Sequence, residues 1–136
     1  VLVIAGMGFF TKRLSTQRIG SLGERAAARY LETKGYRVLE RNWRYRQWEL
    51  DLICRDRETV VFVEVKTRKA HSMSSPADGL TPAKQRRLVK AASHYLTQKD
   101  LWDAPCRFDL AAVTENGTSM DVDHCENAFD LSGMNI

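Results

Sequence analysis

No stretch of this sequence approaches the roughly 18 to 20 consecutive apolar residues needed to cross a bilayer as a helix, so an integral helical membrane protein is excluded. Cysteine is scarce and odd in number: Cys54, Cys106 and Cys125 contain no C-x-x-C pair, which excludes a disulfide framework and a zinc ribbon. A reducing compartment, the cytoplasm, is expected. His124 adjoins Cys125, but adjacent residues lack the usual ligand spacing of a zinc site, and both are expected at solvent-side or half-buried positions. There is no internal repeat and no low-complexity segment. A strong charge imbalance is also lacking: 21 Lys and Arg against 17 Asp and Glu give a net +4, which permits a polyanionic partner without demanding one. The opening VLVIAGMGFF is apolar, yet Lys12 and Arg13 follow it where a secretory signal carries its cations in front, so no targeting signal is expected.

What remains is an ordinary soluble composition, 43% hydrophobic and 28% charged, in 136 residues, enough for one core and too little for two. One domain is expected over 21–128, with an N-terminal extension before it and a short tail, 129–136, after it. Ser21 and Glu24 have capping-box spacing, and Ala27, Ala28, Tyr30 and Leu31 repeat at helical intervals up to Gly35, predicting a helix over about 22–34. Arg37–Tyr45, Glu49–Arg55 and Thr59–Arg68 are rich in β-branched and aromatic residues and read as three strands, the last two a hairpin. Ser72–Gly79 reads as a loop. Thr81 as N-cap and Pro82 at the first helical position open a second helix, whose Leu88, Ala91, Ala92, Tyr95 and Leu96 form one apolar face. Arg107–Thr114 is a fourth strand, and Asn116-Gly117 turns it into a weaker one around Met120–Cys125. The order α, β, β, β, α, β, β predicts a mixed α/β domain with helices packed on a central sheet.

Chemistry concentrates on the second and third strands. Thr59–Val65 is almost continuously apolar, as a strand covered on both faces should be, until Glu64 and Lys66 interrupt its end. Two residues apart on a strand, they share a face roughly 6.5 to 7 Å apart. If the hairpin closes symmetrically from Cys54 opposite Thr59, Asp51 lies opposite Phe62 and diagonal to Glu64, and Glu49 directly faces Glu64. That crowding is repulsive unless a proton, a lysine or a metal ion intervenes. Hard carboxylate oxygens with few histidines suit Mg²⁺ or Mn²⁺. Glu24 sits at the edge of the first helix's core-facing stripe, where it serves equally well as a capping-box acid or as a further site carboxylate.

Two surfaces carry cations. Arg41, Trp43, Arg44, Tyr45, Arg46 and Trp48 interleave positive charge with aromatic rings, a composition that suits either phosphate contact and base stacking or a strand with a filled core face. Lys84, Arg86, Arg87 and Lys90 open the second helix, with Lys84 on its apolar stripe and so overlooking the sheet. Asp109 is expected to pair with Arg107 or Arg68.

Taken in order, Gly23-Glu24, Gly35-Tyr36, Arg41-Asn42, Glu49-Leu50-Asp51-Leu52-Ile53, Val61-Phe62-Val63-Glu64-Val65-Lys66-Thr67-Arg68, Lys84 and Arg107-Phe108-Asp109 resemble the YraN-like family of bacterial proteins across Gly23 to about Val113. Its fold belongs with Holliday-junction resolvases and other PD-(D/E)XK nucleases. The resemblance implies a restriction-endonuclease-like αβββαβ core, Asp51 and Glu64 as metal ligands, Lys66 orienting or activating the attacking water, and Glu24 as a further acidic site residue. The preferred reading takes DNA as partner, branched DNA included, with Arg44, Arg46, Arg68, Lys84, Arg86 and Arg87 of the cationic segments as candidate phosphate contacts and a homodimer as the assembly that paired incisions would require. Leu50 stands in place of the proline of the superfamily's name, and Trp48 where relatives often carry glycine. The competing readings are a noncatalytic nucleic-acid-binding module and a structural or interaction domain in which the acids and lysine form an ion-pair network.

Overall fold

A computed structural model of the protein describes residues 16–71 and 79–131, with side chains from Gly20 onward; residues 72–78 of the expected Ser72–Gly79 loop lie outside the described residues. Helix α1 runs Thr16–Thr33. Its spacing buries Ala27, Ala28 and Leu31 completely. It stops at Gly35, whose φ of 93° only glycine adopts without cost, and the Tyr36 N–H closes the end on the Leu31 carbonyl at 3.1 Å. The helix starts earlier than its capping pattern suggests. Ser21 lies in its second turn, so no capping box forms with Glu24, and Gly20 is carried through the helix although glycine costs about 1 kcal/mol there.

Five strands follow in a single sheet of order β1-β2-β3-β4-β5: β1 Arg37–Tyr45, β2 Trp48–Asp56, β3 Thr59–Lys69, β4 Cys106–Glu115 and β5 Met120–Phe129. Neighbours are antiparallel except β3 and β4, which run parallel because helix α2, Pro82–Lys99, crosses between them. Thr81 caps α2 as expected, its hydroxyl oxygen accepting from the Lys84 N–H at 3.2 Å, and Pro82 follows. The Asn116-Gly117 turn has four residues, closed by Asn116 N–H donating to the Ser119 carbonyl at 3.1 Å, and β5 runs on past the expected end at Cys125 to Phe129.

The two helices cover opposite faces. Ala27, Ala28 and Leu31 of α1 pack with Val61, Val63, Ala111 and Val113, while Leu88, Ala91 and Tyr95 of α2 pack with Val60, Phe62 and Phe108. Consecutive residues Val60–Val63 alternate between these cores and are all buried, which accounts for their unbroken apolar sequence. At roughly 1.5 to 3 kcal/mol for each fully buried large side chain, β3 is the sheet's main anchor. It therefore fixes the position of whatever its last residues carry.

Candidate active site

The hydrogen-bonded ladder between β2 and β3 ends at Leu52↔Val63, although both strands continue. Beyond that pair the strands part. Asp51 occupies the opening, and its carboxylate accepts the Val65 N–H at 2.9 Å, replacing the strand carbonyl that would otherwise bond there. Side-chain alternation slips at the same point: Leu52 belongs to the α1-side core, while Leu50, two residues away, belongs to the α2-side core. On β1, Asn42 adopts a left-handed φ of 51° between Arg41↔Leu52 and Trp43↔Leu50, so both strands bend across one line.

Carrying the register one step beyond Leu52↔Val63 puts Asp51 across from Glu64. The expected register is two residues off. β2 continues to Asp56, leaving only Arg57 and Glu58 in the turn, with Arg57 at φ 58° as a two-residue hairpin requires. The shift is even, so it exchanges opposite partners without changing faces. It does move Glu49, which pairs with Arg44 at 3.1 Å on the exposed β1–β2 edge and does not face Glu64 as expected.

Glu64 is the perturbed group. Burial first, then the negative charge of Asp51, push its pKa from 4.5 up to about 7, against the opposing pull of Lys84. Lys84 Nζ lies 3.1 Å from a Glu64 carboxylate oxygen, so the lysine on the α2 stripe turns inward to the acid and away from solution phosphate. Lys66 is exposed two residues along β3 beyond Glu64, on the same α2 side, and its aliphatic stem and Nζ run beside Gly79. Glu24 approaches from the α1 side. Its carboxyl is raised by burial and then by Asp51, and eased back by a hydrogen bond from Asn42 and the charge of Arg44. What brings α1 so close is Gly23: a Cβ there would overlap Thr67 Oγ1 on β3. Asp51 is thus the hub, with Glu64 on one side of the sheet and Glu24 on the other.

Among the described residues no three His, Cys, Asp or Glu side chains are gathered tightly enough to form a ready cage for a metal ion. The Asp51 and Glu64 pair still suits Mg²⁺ or Mn²⁺, which are held by one or two carboxylates and keep most of their waters. A carboxyl whose proton affinity is raised by a neighbouring carboxylate, as that of Glu64 is by Asp51, belongs to the donor set a hard cation would relieve.

The other expected residues divide. Arg46 is exposed over the Tyr45 ring at 5.1 Å, and Arg44 is exposed but bound to Glu49. Arg86 and Arg87 lie exposed on α2, and Arg68 is half-buried and already engaged. The aromatics interleaved with the arginines do not present themselves for stacking: Trp43 is in the core, edge-on to Tyr95, while Tyr45 and Trp48 pack on His94 of α2. Asp109 takes Arg107 as partner, as expected, but also the Asn127 N–H and His124, whose Nε2 lies 2.7 Å away. His124 is half-buried as a residue, as expected, but its side chain is turned inward and only 1% exposed. Burial works to raise the Asp109 pKa, but the hydrogen bonds from His124, Arg107 and Asn127 outweigh it and hold the carboxyl below the usual range. Asn42 is a site residue that the sequence pattern does not single out. Its one visible signal is an Asn, the non-glycine residue most tolerant of left-handed backbone, in mid-strand.

No helix among the described residues is long and apolar enough to cross a membrane. A sequence profile of the uncharacterised protein family UPF0102 matches residues 23–113. A UPF0102 protein of Nitratidesulfovibrio vulgaris is 49% identical over 113 residues, covering 83% of this chain and 84% of that one. A UPF0102 protein of Lawsonia intracellularis is 45% identical, covering 83% and 86%, and one of Geotalea uraniireducens 40% identical, covering 88% and 95%.

Proposed function

Since the chain belongs to UPF0102, the YraN-like family, we propose from its site that it is a metal-dependent endonuclease hydrolysing phosphodiester bonds in DNA. The observation that carries the reading is the pair Asp51 and Glu64 at the splay, with the Glu64 carboxyl raised to about 7. A half-buried acid pair against an open strand edge is costly to keep for stability alone, and perturbed carboxyls of this kind concentrate at functional sites. Asp51 and Glu64 would hold Mg²⁺ or Mn²⁺, which when bound supplies charge neutralisation at the phosphate and lowers the pKa of water. Asp51 is held in place by the Val65 N–H, so its ligand geometry is set by the sheet. Lys66 orients the attacking water and meets the charge that develops on the phosphate. Lys84 neutralises Glu64, and a cation held there would free its ammonium to meet a phosphate. Glu24, steadied by Asn42, accepts a proton or orients water from the α1 side.

The test is cleavage of a panel of branched, flapped, single-stranded and duplex DNA, plus RNA, with Mg²⁺ or Mn²⁺. Wild type should cut at least one DNA; Asp51→Asn, which keeps an acceptor for Val65, and Glu64→Ala and Lys66→Ala should each abolish cutting while binding largely survives. The Glu64–Lys84 ion pair favours a second reading, a noncatalytic nucleic-acid-binding module, in which the acids only balance the lysines. Binding without cleavage under either metal establishes that reading in place of the first.

A further inference from the structure

A stripe along α1 faces away from its buried side. Leu22, Arg25, Ala26, Arg29 and Tyr30 follow one another at intervals of three and four residues, and with Met120 and Val122 of β5 they enclose an open groove of about 810 Å³. Its α1 wall, from Leu22 to Thr33, is about 17 Å long at the helical rise. Arg25 and Arg29 are exposed and meet no carboxylate in an ion pair among the described residues, and Tyr30, 36% exposed, is one of few large apolar groups that face solvent. Asp121 also lines the groove, with its carboxylate occupied by the Asn116 side-chain amide at 2.9 Å. Lys34 Nζ lies 5.6 Å from the Tyr30 ring centre but is taken up by Glu126 at 3.9 Å.

A second recess lies across α1 from the groove. It is smaller, about 160 Å³, and is lined by Ser21, Glu24, Arg25, Arg41 and Asn42 between α1 and β1. The recess lies on the β1 flank of α1 and the groove on its β5 flank, so that Arg25, exposed on the helix, borders both, with Glu24 on one side and Arg29 and the exposed Tyr30 ring on the other.

We propose that this groove, reached from the Asp51–Glu64 site over α1 at Arg25, binds a single-stranded segment of nucleic acid, so that the substrate class is DNA with a single-stranded arm or flap next to the scissile bond. The proposal rests on the nuclease reading for the cutting, but the groove itself is argued from its own chemistry. Arginines spaced along one wall follow a phosphate backbone, and the Tyr30 ring with the apolar floor of Ala26, Met120 and Val122 offers bases a stacking surface that reads no sequence. A duplex keeps its bases stacked inside and has no use for that floor. A second copy of this chain would bring the groove arginines of both copies into one interface, since a twofold contact uses the same patch twice, and that concentration of like charge opposes the pairing.

The test is fluorescence anisotropy with a labelled oligothymidylate and with a blunt duplex of the same length, in EDTA so that no cutting occurs. Arg25→Ala/Arg29→Ala should weaken oligothymidylate binding by tenfold or more and flatten its salt dependence, and Tyr30→Ala should weaken it about tenfold while Tyr30→Trp restores it. Duplex binding should change less than twofold in every variant. All these side chains are exposed, and circular dichroism confirms folding. Unchanged oligothymidylate affinity in Arg25→Ala/Arg29→Ala and Tyr30→Ala overturns the proposal, as does an equal loss on duplex. So does a change in sedimentation from dimer to monomer in Tyr30→Ala without loss of binding, which would make the groove a self-interface. If wild type cuts flapped DNA and the groove variants cut it with unaltered kcat/KM, the groove proposal fails and the nuclease reading stands. If nothing is cut but the binding losses appear, the nuclease reading fails and the groove proposal stands.

Discussion

Glu64→Gln isolates what it costs to hold an ionisable acid in the splay. In the folded chain burial and Asp51 raise the Glu64 carboxyl from 4.5 to about 7. A group whose folded pKa is raised contributes stability that is fully present below its unfolded pKa and is lost as pH rises through the folded one. With about 1.4 kcal/mol for each tenfold, the wild type should lose roughly 3 kcal/mol from this group between about pH 4.5 and 8, most of it between 5 and 7. Glutamine keeps the shape and has no proton to lose. Its loss of the Lys84 partner is mild, because the Lys84 side chain is 34% exposed and water can solvate it. The variant should therefore match wild type within about 1 kcal/mol at pH 5 and exceed it by roughly 2 to 3 kcal/mol at pH 8, a difference in Tm of roughly 10 °C. Thermal and urea unfolding at both pH values read this directly, as a difference between the two proteins that cancels every other titration. Adding Mg²⁺ at pH 8 should stabilise wild type, by about 1.4 kcal/mol at ten times its Kd, and leave Glu64→Gln nearly unmoved. A variant destabilised equally at both pH values would show that the Lys84 pair dominates, and an equal Mg²⁺ response would show that Glu64 is no ligand.

Gly23→Ala should destabilise by about 1 to 2 kcal/mol, because overlap with Thr67 outweighs the helix-propensity gain of about 1 kcal/mol, and Thr67→Ala in the same chain should restore it; a stabilised single variant would refute the close approach. Asp109→Asn should cost roughly 1.5 to 3 kcal/mol, since it removes the buried charge that Arg107 and His124 share while Arg107 keeps Asp56, as denaturant unfolding will show. The wild-type Asp109 contribution is present above the ordinary 3.8 and lost as pH falls through its lower folded value, so the variant should also unfold with a shallower acid limb. Neutralising Arg86 and Arg87 together should weaken duplex binding and reduce the slope of log K against log salt by about 0.9 for each phosphate that the variant no longer neutralises; an unchanged slope places the duplex on another surface.

The elements were legible because their signals are local. β-Branched runs bounded by charged turns, Thr81-Pro82 before an apolar stripe and Gly35 after another each depend on a few neighbouring residues, and the strands came within one or two residues of their ends except for β5. Register was less legible. Its parity is protected by burial, since a one-residue slip would send Val61 and Val63 to the wrong core, but a two-residue slip costs only turn length, and the sequence does not say that Asp56 still pairs. Contacts that jump between elements were hidden altogether. Nothing near Lys84 announces Glu64, and nothing near His124 announces Asp109, because each partner is supplied by the crossover and the sheet order. The aromatics of β1 misled in the opposite direction: their spacing suits a stacking surface and a core face equally, and α2 decides for the core by covering them.

The splay itself joins the fold to the chemistry. An uninterrupted β2–β3 ladder would bury Asp51 and Glu64 side by side in a sheet interior with no room for water or phosphate, and two acids there would simply share a proton. Opening the ladder after Leu52↔Val63 removes backbone hydrogen bonds, each worth about 1 kcal/mol net. The Asp51 carboxylate recovers one of them at Val65, and Asn42 absorbs the bend on β1 with a backbone conformation it tolerates. The compensation is partial, and it leaves Asp51 with one oxygen used by the sheet and the other available. A residue that served only to close the ladder would need no charge; Asn or Ser could accept from Val65 as well. On the proposed nuclease reading, the acid at this position beside Glu64, whose ionisation burial and the Asp51 charge oppose, is what would let the opening receive a cation where a plain strand end would only fray.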